Sequence, residues 1–384
     1  MIYLDNAATS YPKAPGLGQG IAWHINNIAG NTGRSSYSGA VYNSKLIYET
    51  REKLSELLGC SDSSQFIFTN NATHALNTAI LGSIEAGERI LVSPLEHNSV
   101  MRPLTYLQEK KDVKVFYYKL NKEFEVDWKD FQLQLQHNKI TKVITTICSN
   151  VTGTILPVKQ ISELCACHKI PLIIDASQYI GYRKFDLTKI QASAVCFPGH
   201  KGLLGPTGTG LLWLNPDFHL DPIMFGGTGS KSDSIHQPSF LPDKYESGTP
   251  NISGIYGLSL ALDYINKQGF ENISKAREEI VGYLFHKIQE IEEIIIYSNL
   301  DLARQVGVLS FNLRNIPCSE VTHQLDRNEI AVRMGLHCAP QAHKLIGTYD
   351  LGGTVRISPS SFTTVEEIDK TIKILKEISY GFKR

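Results

Sequence analysis

No apolar run in this chain approaches the ~18 residues that a membrane-spanning helix needs, and no basic amphipathic helix offers itself to a membrane surface. Charge of neither sign is in excess, because Lys+Arg and Asp+Glu each number 38. The basic stripe of a nucleic-acid-binding protein is therefore missing. The opening stretch MIYLDNAATSYPK places Asp5 where a secretory leader needs apolar residues. These absences lead to the expectation of a cytoplasmic protein with neither membrane nor nucleic acid as partner. Cysteine is sparse: Cys60, Cys148, Cys165, Cys167, Cys196, Cys318 and Cys338 form an odd, scattered set. That is no disulfide framework. The run CACH at 165–168 falls in a helical pattern, where positions i and i+2 point apart, so Cys165 and Cys167 cannot easily share an ion and no metal is expected. Internal repeats and low-complexity segments are also missing.

What the chain has is length, core-forming residues and alternation. With 384 residues, 42% of them hydrophobic, it is long enough for two domains. Helical patterns at 41–58, 73–84, 99–111, 127–137 and 158–168 are separated by strand-like runs: QFIFT (65–69), RILVS (89–93), VKVFYY (113–118), KVITTICS (142–149), PLIID (171–175), SAVCF (193–197) and GTGLLWL (208–214). The runs are short, rich in β-branched and aromatic residues, and apolar on both faces. That predicts an α/β fold with a mostly parallel sheet between helices. After about residue 250 the rhythm changes to two long helices near 253–267 and 270–292. Short strands near 306–313, 329–333 and 353–358 follow, then a closing helix at 364–380. The turn-rich ESGTPN marks the joint. The expected division is a large domain at 15–250 and a smaller α+β C-terminal domain at 251–384, with residues 1–14 packing near the latter.

Ligands of an open parallel sheet bind at the carboxyl ends of its strands. FTNNATHALN (68–77) reads as strand, turn and helix, so Ala72, Thr73 and His74 offer free N–H groups and a hydroxyl as a phosphate seat. An ordinary N-cap is the alternative. His97 follows the next strand, where a flat ring can stack on a planar ligand or simply face solvent. Asn150 ends one strand. Asp175, with Gln178 after it, ends another, and a half-buried carboxylate there needs a cationic or donating partner unless it is a plain N-cap. In VCFPGHKGLLGPTGTG (195–210) a glycine-flanked bend holds His200 and Lys201. A lysine near a phosphate seat and a carboxylate suggests a Schiff-base lysine. Pyridoxal phosphate needs that lysine, an acidic partner for its ring nitrogen, and a phosphate cup. The glycines are expected to let the backbone approach the phosphate. Other uses of glycine fail: GGTGSKS (226–232) has Ser230 before Lys231 where a P-loop needs glycine, and GPTGTG lacks the dinucleotide order and a following helix.

YLDNAAT, EHNS, DASQ, GHKGLLGPTGTG, ESGTPN and VRMGLHCAP together resemble the class V aminotransferase group of pyridoxal-phosphate enzymes. Within it the chain is similar to the cysteine desulfurases, including the branch that overlaps with selenocysteine lyases. The resemblance runs from residue 3 to residue 356 and implies a fold-type-I enzyme. It implies that Lys201 holds the cofactor, His97 stacks on the ring and acts as an acid–base partner, and Asp175 and Gln178 meet the ring nitrogen and phenolic oxygen. Thr73 and His200, beside Ala72, would bind the phosphate. Thr249 would reach the neighbouring subunit's cofactor in a homodimer with shared active sites. Asn150 would help orient substrate and cofactor, and Arg356, with Arg333, would hold the substrate, L-cysteine or L-selenocysteine. Cys338 stands at the family's persulfide cysteine, and the flanking Arg333 and His337 favour a thiolate. The implied reaction yields L-alanine and a persulfide for a sulfur-acceptor protein, in sulfur metabolism such as iron–sulfur cluster assembly. Tyr37 stands where relatives often place a histidine after a Gly-Arg pair, here Gly33-Arg34. The loop carrying Cys338 is short. A transaminating or other lyase chemistry on the same scaffold, or a non-catalytic scaffold, are the competing readings.

Overall fold

The structure is a computed structural model and describes residues 1–32 and 36–381. Gly33 and Arg34 lie outside the described residues. Strand β1 (Ile2–Tyr3) and helices α1 (Leu17–Asn27) and α2 (Ser38–Leu58) come first. Strands and helices then alternate as β2 (Phe66–Thr69), α3 (Ala72–Ser83), β3 (Arg89–Val92), α4 (Asn98–Lys111), β4 (Lys114–Tyr117), α5 (Trp128–His137), β5 (Lys142–Thr146), α6 (Val158–Cys167), β6 (Leu172–Asp175), β7 (Ala194–Pro198) and β8 (Gly210–Leu214). The seven strands form one sheet in the order β2-β8-β7-β6-β5-β3-β4. The pairs from β7 through β4 are parallel, and β8 runs antiparallel to both β2 and β7.

Period-two alternation explains why these runs are apolar throughout. Phe66, Phe68, Val143, Ile174, Val195 and Leu211 enter one core, while Ile67, Ile144, Ile173, Ala194, Cys196 and Leu212 enter another. Both faces are covered, so neither can be polar. The parallel strands share one direction and bring their carboxyl ends to one rim. The loops that start α3 and α4 open there, as do those after β5, β6 and β7.

The second part of the chain carries α7 (Ile252–Gln268), α8 (Phe270–Ile288), β9 (Ile294–Ile296), β10 (Leu309–Leu313), α9 (Cys318–Arg327), β11 (Ile330–Ala331), β12 (Arg333–Gly335), α10 (Pro340–Leu345), β13 (Thr354–Ile357) and α11 (Val365–Gly381). Strands β12-β13-β10-β9 form an antiparallel sheet. Its core draws on Phe311, Val355, Ile357, Leu284 and Leu375, and takes in Ile2 and Leu4 from the N-terminal segment. The helix expected over 270–292 stops at Ile288, and Ile294–Ile296 pairs with β10 instead. The strand expected over 329–333 is split: Ile330–Ala331 pairs with β1, and Arg333–Gly335 joins β13. Residues 2–6 bridge distant parts of the chain. β1 lies parallel to β11, Asp5 bridges to Ser358, and Ser358 N donates to Leu4 O at 2.7 Å.

Candidate active site

A cavity of about 260 Å³ opens at the carboxyl rim of the seven-stranded sheet. Ala72, Thr73, His97, Asn150, Asp175, Gln178, His200, Lys201, Arg333, Cys338 and Arg356 all line it. Every one of them was singled out from the sequence. Thr249 was too, but it is exposed and lines a different, open cavity of about 840 Å³. Its hydroxyl accepts from Asn31 Nδ2 at 3.3 Å.

Local sequence places each group. Asn71 caps α3 by accepting from His74 N at 2.8 Å, which leaves the first-turn N–H groups of Ala72 and Thr73 at the rim. Gly210 has no Cβ because one would strike the backbone of Asn71, so β8 can press against this turn. His97 caps α4 through Nδ1, which accepts from Ser99 N at 3.0 Å. Ser99 Oγ in turn meets Thr73 Oγ1 at 2.7 Å, tying the two helix starts together. Burial holds the His97 imidazole down at about 4 in pKa, against Asp175 and with help from Lys201, so the ring is neutral at physiological pH.

Asp175 is buried at the end of β6, where Oδ1 accepts from Ser177 N at 2.9 Å. Among the described residues it has no ion-pair partner. Gln178 Nε2 donates to Ala7 O at 2.8 Å, and its buried Oε1 has no partner. Lys201 follows β7, and burial lowers its amine to about 8, opposed by Asp175 and aided by Arg356 and Arg333. The glycines beside it are required by packing within the protein. The space a Cβ on Gly202 would need holds the backbone of Ile180 and Gly181, and for Gly199 it holds the Thr209 side chain. They let the lysine turn pack on protein.

Arg356, on β13, is almost wholly buried. Its Nη2 donates to Asp5 Oδ1 at 2.7 Å and its Nη1 to Asn150 O at 3.0 Å, while Nε has no partner. Arg333 is its cross-strand neighbour on β12 and brings Nη2 to 4.0 Å from Cys338 Sγ. Cys338 is exposed, and both it and His337 have positive φ, 57° and 47°. Such strain in non-glycine residues persists only where the surroundings enforce it. Asn150 Nδ2 donates to His337 O and Asn98 N to Cys338 O, each at 2.7 Å. His337 itself is buried and neutral, with Nε2 on Thr354 Oγ1 at 3.1 Å. It therefore brings no positive charge to the thiol, and Arg333 is the cation there. Cys165 is buried and Cys167 exposed on α6, so their side chains diverge.

Two groups escaped the sequence reading. Asp5 was weighed only as a charge near the N-terminus, yet it is the counterion of Arg356. Glu96, in EHNS, is fully buried and takes a hydrogen bond from Thr146 N at 2.6 Å, with Oε2 unpartnered. Burial and the nearby Asp175 raise its pKa well above the ordinary carboxylate range. Its position in the loop between β3 and α4, beside His97, was the available signal.

The residues fit pyridoxal phosphate. A lysine with a readily deprotonated amine, a buried carboxylate without a cation, an orphaned Gln178 oxygen and a helix start with free N–H groups converge on one cavity. The profile of the class V aminotransferases matches residues 2–371. A probable cysteine desulfurase of Methanothermobacter thermautotrophicus is 34% identical over 98% of this chain and 94% of its own. One from Borreliella burgdorferi is 30% identical over 99% and 93%. The apo structure of a cysteine desulfurase from Thermococcus onnurineus NA1 superposes with a TM-score of 0.91 at 27% identity, covering 99% of this chain and 95% of that one.

Proposed function

The chain belongs to the class V aminotransferase family, and from that membership we propose that it is a cysteine desulfurase that moves the sulfur of L-cysteine onto Cys338 and releases L-alanine. The observation that carries this is the meeting of Lys201, Asp175, Arg356 and Cys338 in one cavity. We read residues 15–250 as the cofactor-binding domain and 251–384 as the smaller domain that supplies Arg356 and Cys338.

When bound, pyridoxal phosphate supplies an electrophilic carbon for a primary amine and a ring that withdraws the electron pair left at the substrate Cα. Lys201 would hold it covalently, Asp175 would meet the ring nitrogen, Gln178 the phenolic oxygen, and Ala72, Thr73 and His200 the phosphate. Arg356 takes the substrate carboxylate with its remaining N–H groups, fixed by Asp5 and Asn150. The Lys201 amine, once displaced, removes the Cα proton, for which a pKa of about 8 suits it. Neutral His97 accepts and returns a proton at the substrate. The Cys338 thiolate forms an S–S bond to the substrate sulfur as that sulfur's bond to Cβ breaks. The carbon skeleton leaves as L-alanine, and the persulfide stays on Cys338. Hydrogen and electrons balance between one thiol and one L-cysteine on one side, and one persulfide and one L-alanine on the other.

The finer assignments belong to the same reading: a cytoplasmic homodimer in which Thr249 reaches the partner's cofactor, and a protein that collects the persulfide sulfur. Thr249 standing exposed in its own open cavity supports the dimer. The deciding assay is alanine release from L-cysteine, with and without dithiothreitol, for wild type and Cys338→Ala. Alanine and sulfide from wild type, lost in the variant, are the expected result. Full cysteine activity in the variant removes Cys338 as the nucleophile.

A further inference from the structure

Lys13 is a half-buried cation with no ion-pair partner among the described residues. Its Nζ donates to three neutral oxygens: His200 O at 2.9 Å, Ser10 Oγ at 3.0 Å and Thr9 Oγ1 at 3.1 Å. A solvated lysine gives up water for nothing in such a place unless the arrangement serves something. What all three contacts surround is the residue before Lys201.

The hydrogen bonds around His200 point to where its ring proton sits. His200 O has three donors within 3.0 Å for its two lone pairs: Lys13 Nζ at 2.9 Å, and Ser10 N and Ser10 Oγ at 3.0 Å each. Thr9 Oγ1 accepts from Lys13 and has one proton left to give. Two acceptors lie within its reach: His200 O at 3.2 Å, already crowded, and His200 Nδ1, nearer at 3.0 Å. A proton on Nδ1 would instead leave the Thr9 proton to be a fourth donor on His200 O. Nδ1 is therefore the acceptor, and the ring proton belongs to Nε2, which has no hydrogen-bond partner among the described residues.

We propose that Lys13 and Thr9 are positioning residues that fix His200 in its Nε2–H tautomer, so that the ring presents a donor to the cofactor phosphate. This rests on the cofactor reading above. A neutral imidazole with the opposite tautomer would turn a lone pair toward the phosphate and repel it. Burial, with Lys201 and Lys13 nearby, keeps His200 uncharged by lowering it to about 4, so the tautomer alone decides donor or acceptor.

The test uses the full chain stripped of cofactor. Ring 15N spectra, assigned by difference against His200→Gln, report the His200 tautomer, and titrations with pyridoxal phosphate and with pyridoxal report affinity with and without the phosphate. In wild type Nδ1 is unprotonated. Lys13→Met and the near-isosteric Thr9→Val release the tautomer and weaken pyridoxal phosphate about 3- to 10-fold, the size of one ordinary hydrogen bond. Pyridoxal affinity stays level, and Thr9→Ser, which keeps the hydroxyl, behaves as wild type. A wild-type ring protonated on Nδ1 overturns the proposal, as does an equal loss for both compounds in Thr9→Val. Wild type that takes up neither compound refutes the cofactor reading, while the tautomer spectra on the same sample still decide the relay.

Discussion

Arg51 and Glu246 protect the open edge of the large sheet. β2 is the terminal strand, so its outer groups have no neighbouring strand to meet. Arg51 Nε donates to Phe66 O at 2.9 Å, and Glu246 Oε1 accepts from Phe68 N at 2.6 Å. Both carboxylate oxygens accept from Arg51 Nη2, at 2.6 and 2.5 Å, and the guanidinium lies 4.8 Å from the Phe68 ring centre. The two side chains are only 10% and 19% exposed, so water can replace little of this. Burial raises the Glu246 carboxyl in pKa while Arg51 opposes it, as a carboxylate dependent on its partner should. Arg51→Met strands that carboxylate and bares Phe66 O, at a cost of about 3–5 kcal/mol. Glu246→Gln still offers Phe68 N an acceptor, but its NH2 cannot accept from Arg51 and the charge is lost, about 1.5–3 kcal/mol. Urea unfolding of the holoprotein for both variants, at low and high salt, checks the size and the order. Salt should change neither by much, since a buried pair is weakly screened. A loss under about 1 kcal/mol in Arg51→Met, or a larger loss in Glu246→Gln, refutes the reasoning.

Other outcomes follow from the cavity. Covalent loading of the stripped protein with pyridoxal phosphate should quicken as pH rises through about 8, because only the neutral Lys201 amine attacks, and level off above it. Stopped-flow absorbance across pH 6–10 would show the inflection, and borohydride should fix no cofactor on Lys201→Ala. Arg356→Lys keeps charge and loses the fork, so KM for L-cysteine should rise about 10- to 100-fold while cofactor affinity holds; steady-state kinetics separate the two. Asn150→Ala removes the 2.7 Å bond to His337 O that holds the strained turn, so iodoacetamide labelling of Cys338 should change rate and alanine release should drop several-fold. Unchanged labelling in that variant would show that Asn98 alone suffices.

Much of this was legible because the signals were local. The sheet strands announced themselves by β-branched runs bounded by turns, and the site residues by standing just past those runs. What stayed hidden depended on distant partners. Helix α1, LGQGIAWHINN, opens with two glycines that read as a turn, yet its place against α7 supplies the packing that propensity lacks. β9 follows a helical pattern with no breaker, and only pairing with β10 makes it a strand. Helix α9 buries just Cys318, Val321 and Leu325, too sparse a stripe to declare itself. Asp5 and Arg356 are each ordinary in their own surroundings, and nothing local predicts a contact across 351 positions.

That contact also sets a timetable. A ribosome delivers Arg356 a full 351 positions after Asp5, so the N-terminal segment waits through the synthesis of the whole large sheet for β11, Ser358 and Arg356. The large sheet can assemble early from neighbours in the chain. Cys338, Arg356 and the strand that pairs with β1 all follow the large sheet in the chain. A nascent polypeptide therefore carries Lys201 before Cys338 and Arg356 exist to stand beside it, and the cavity closes up only after β13 has been made.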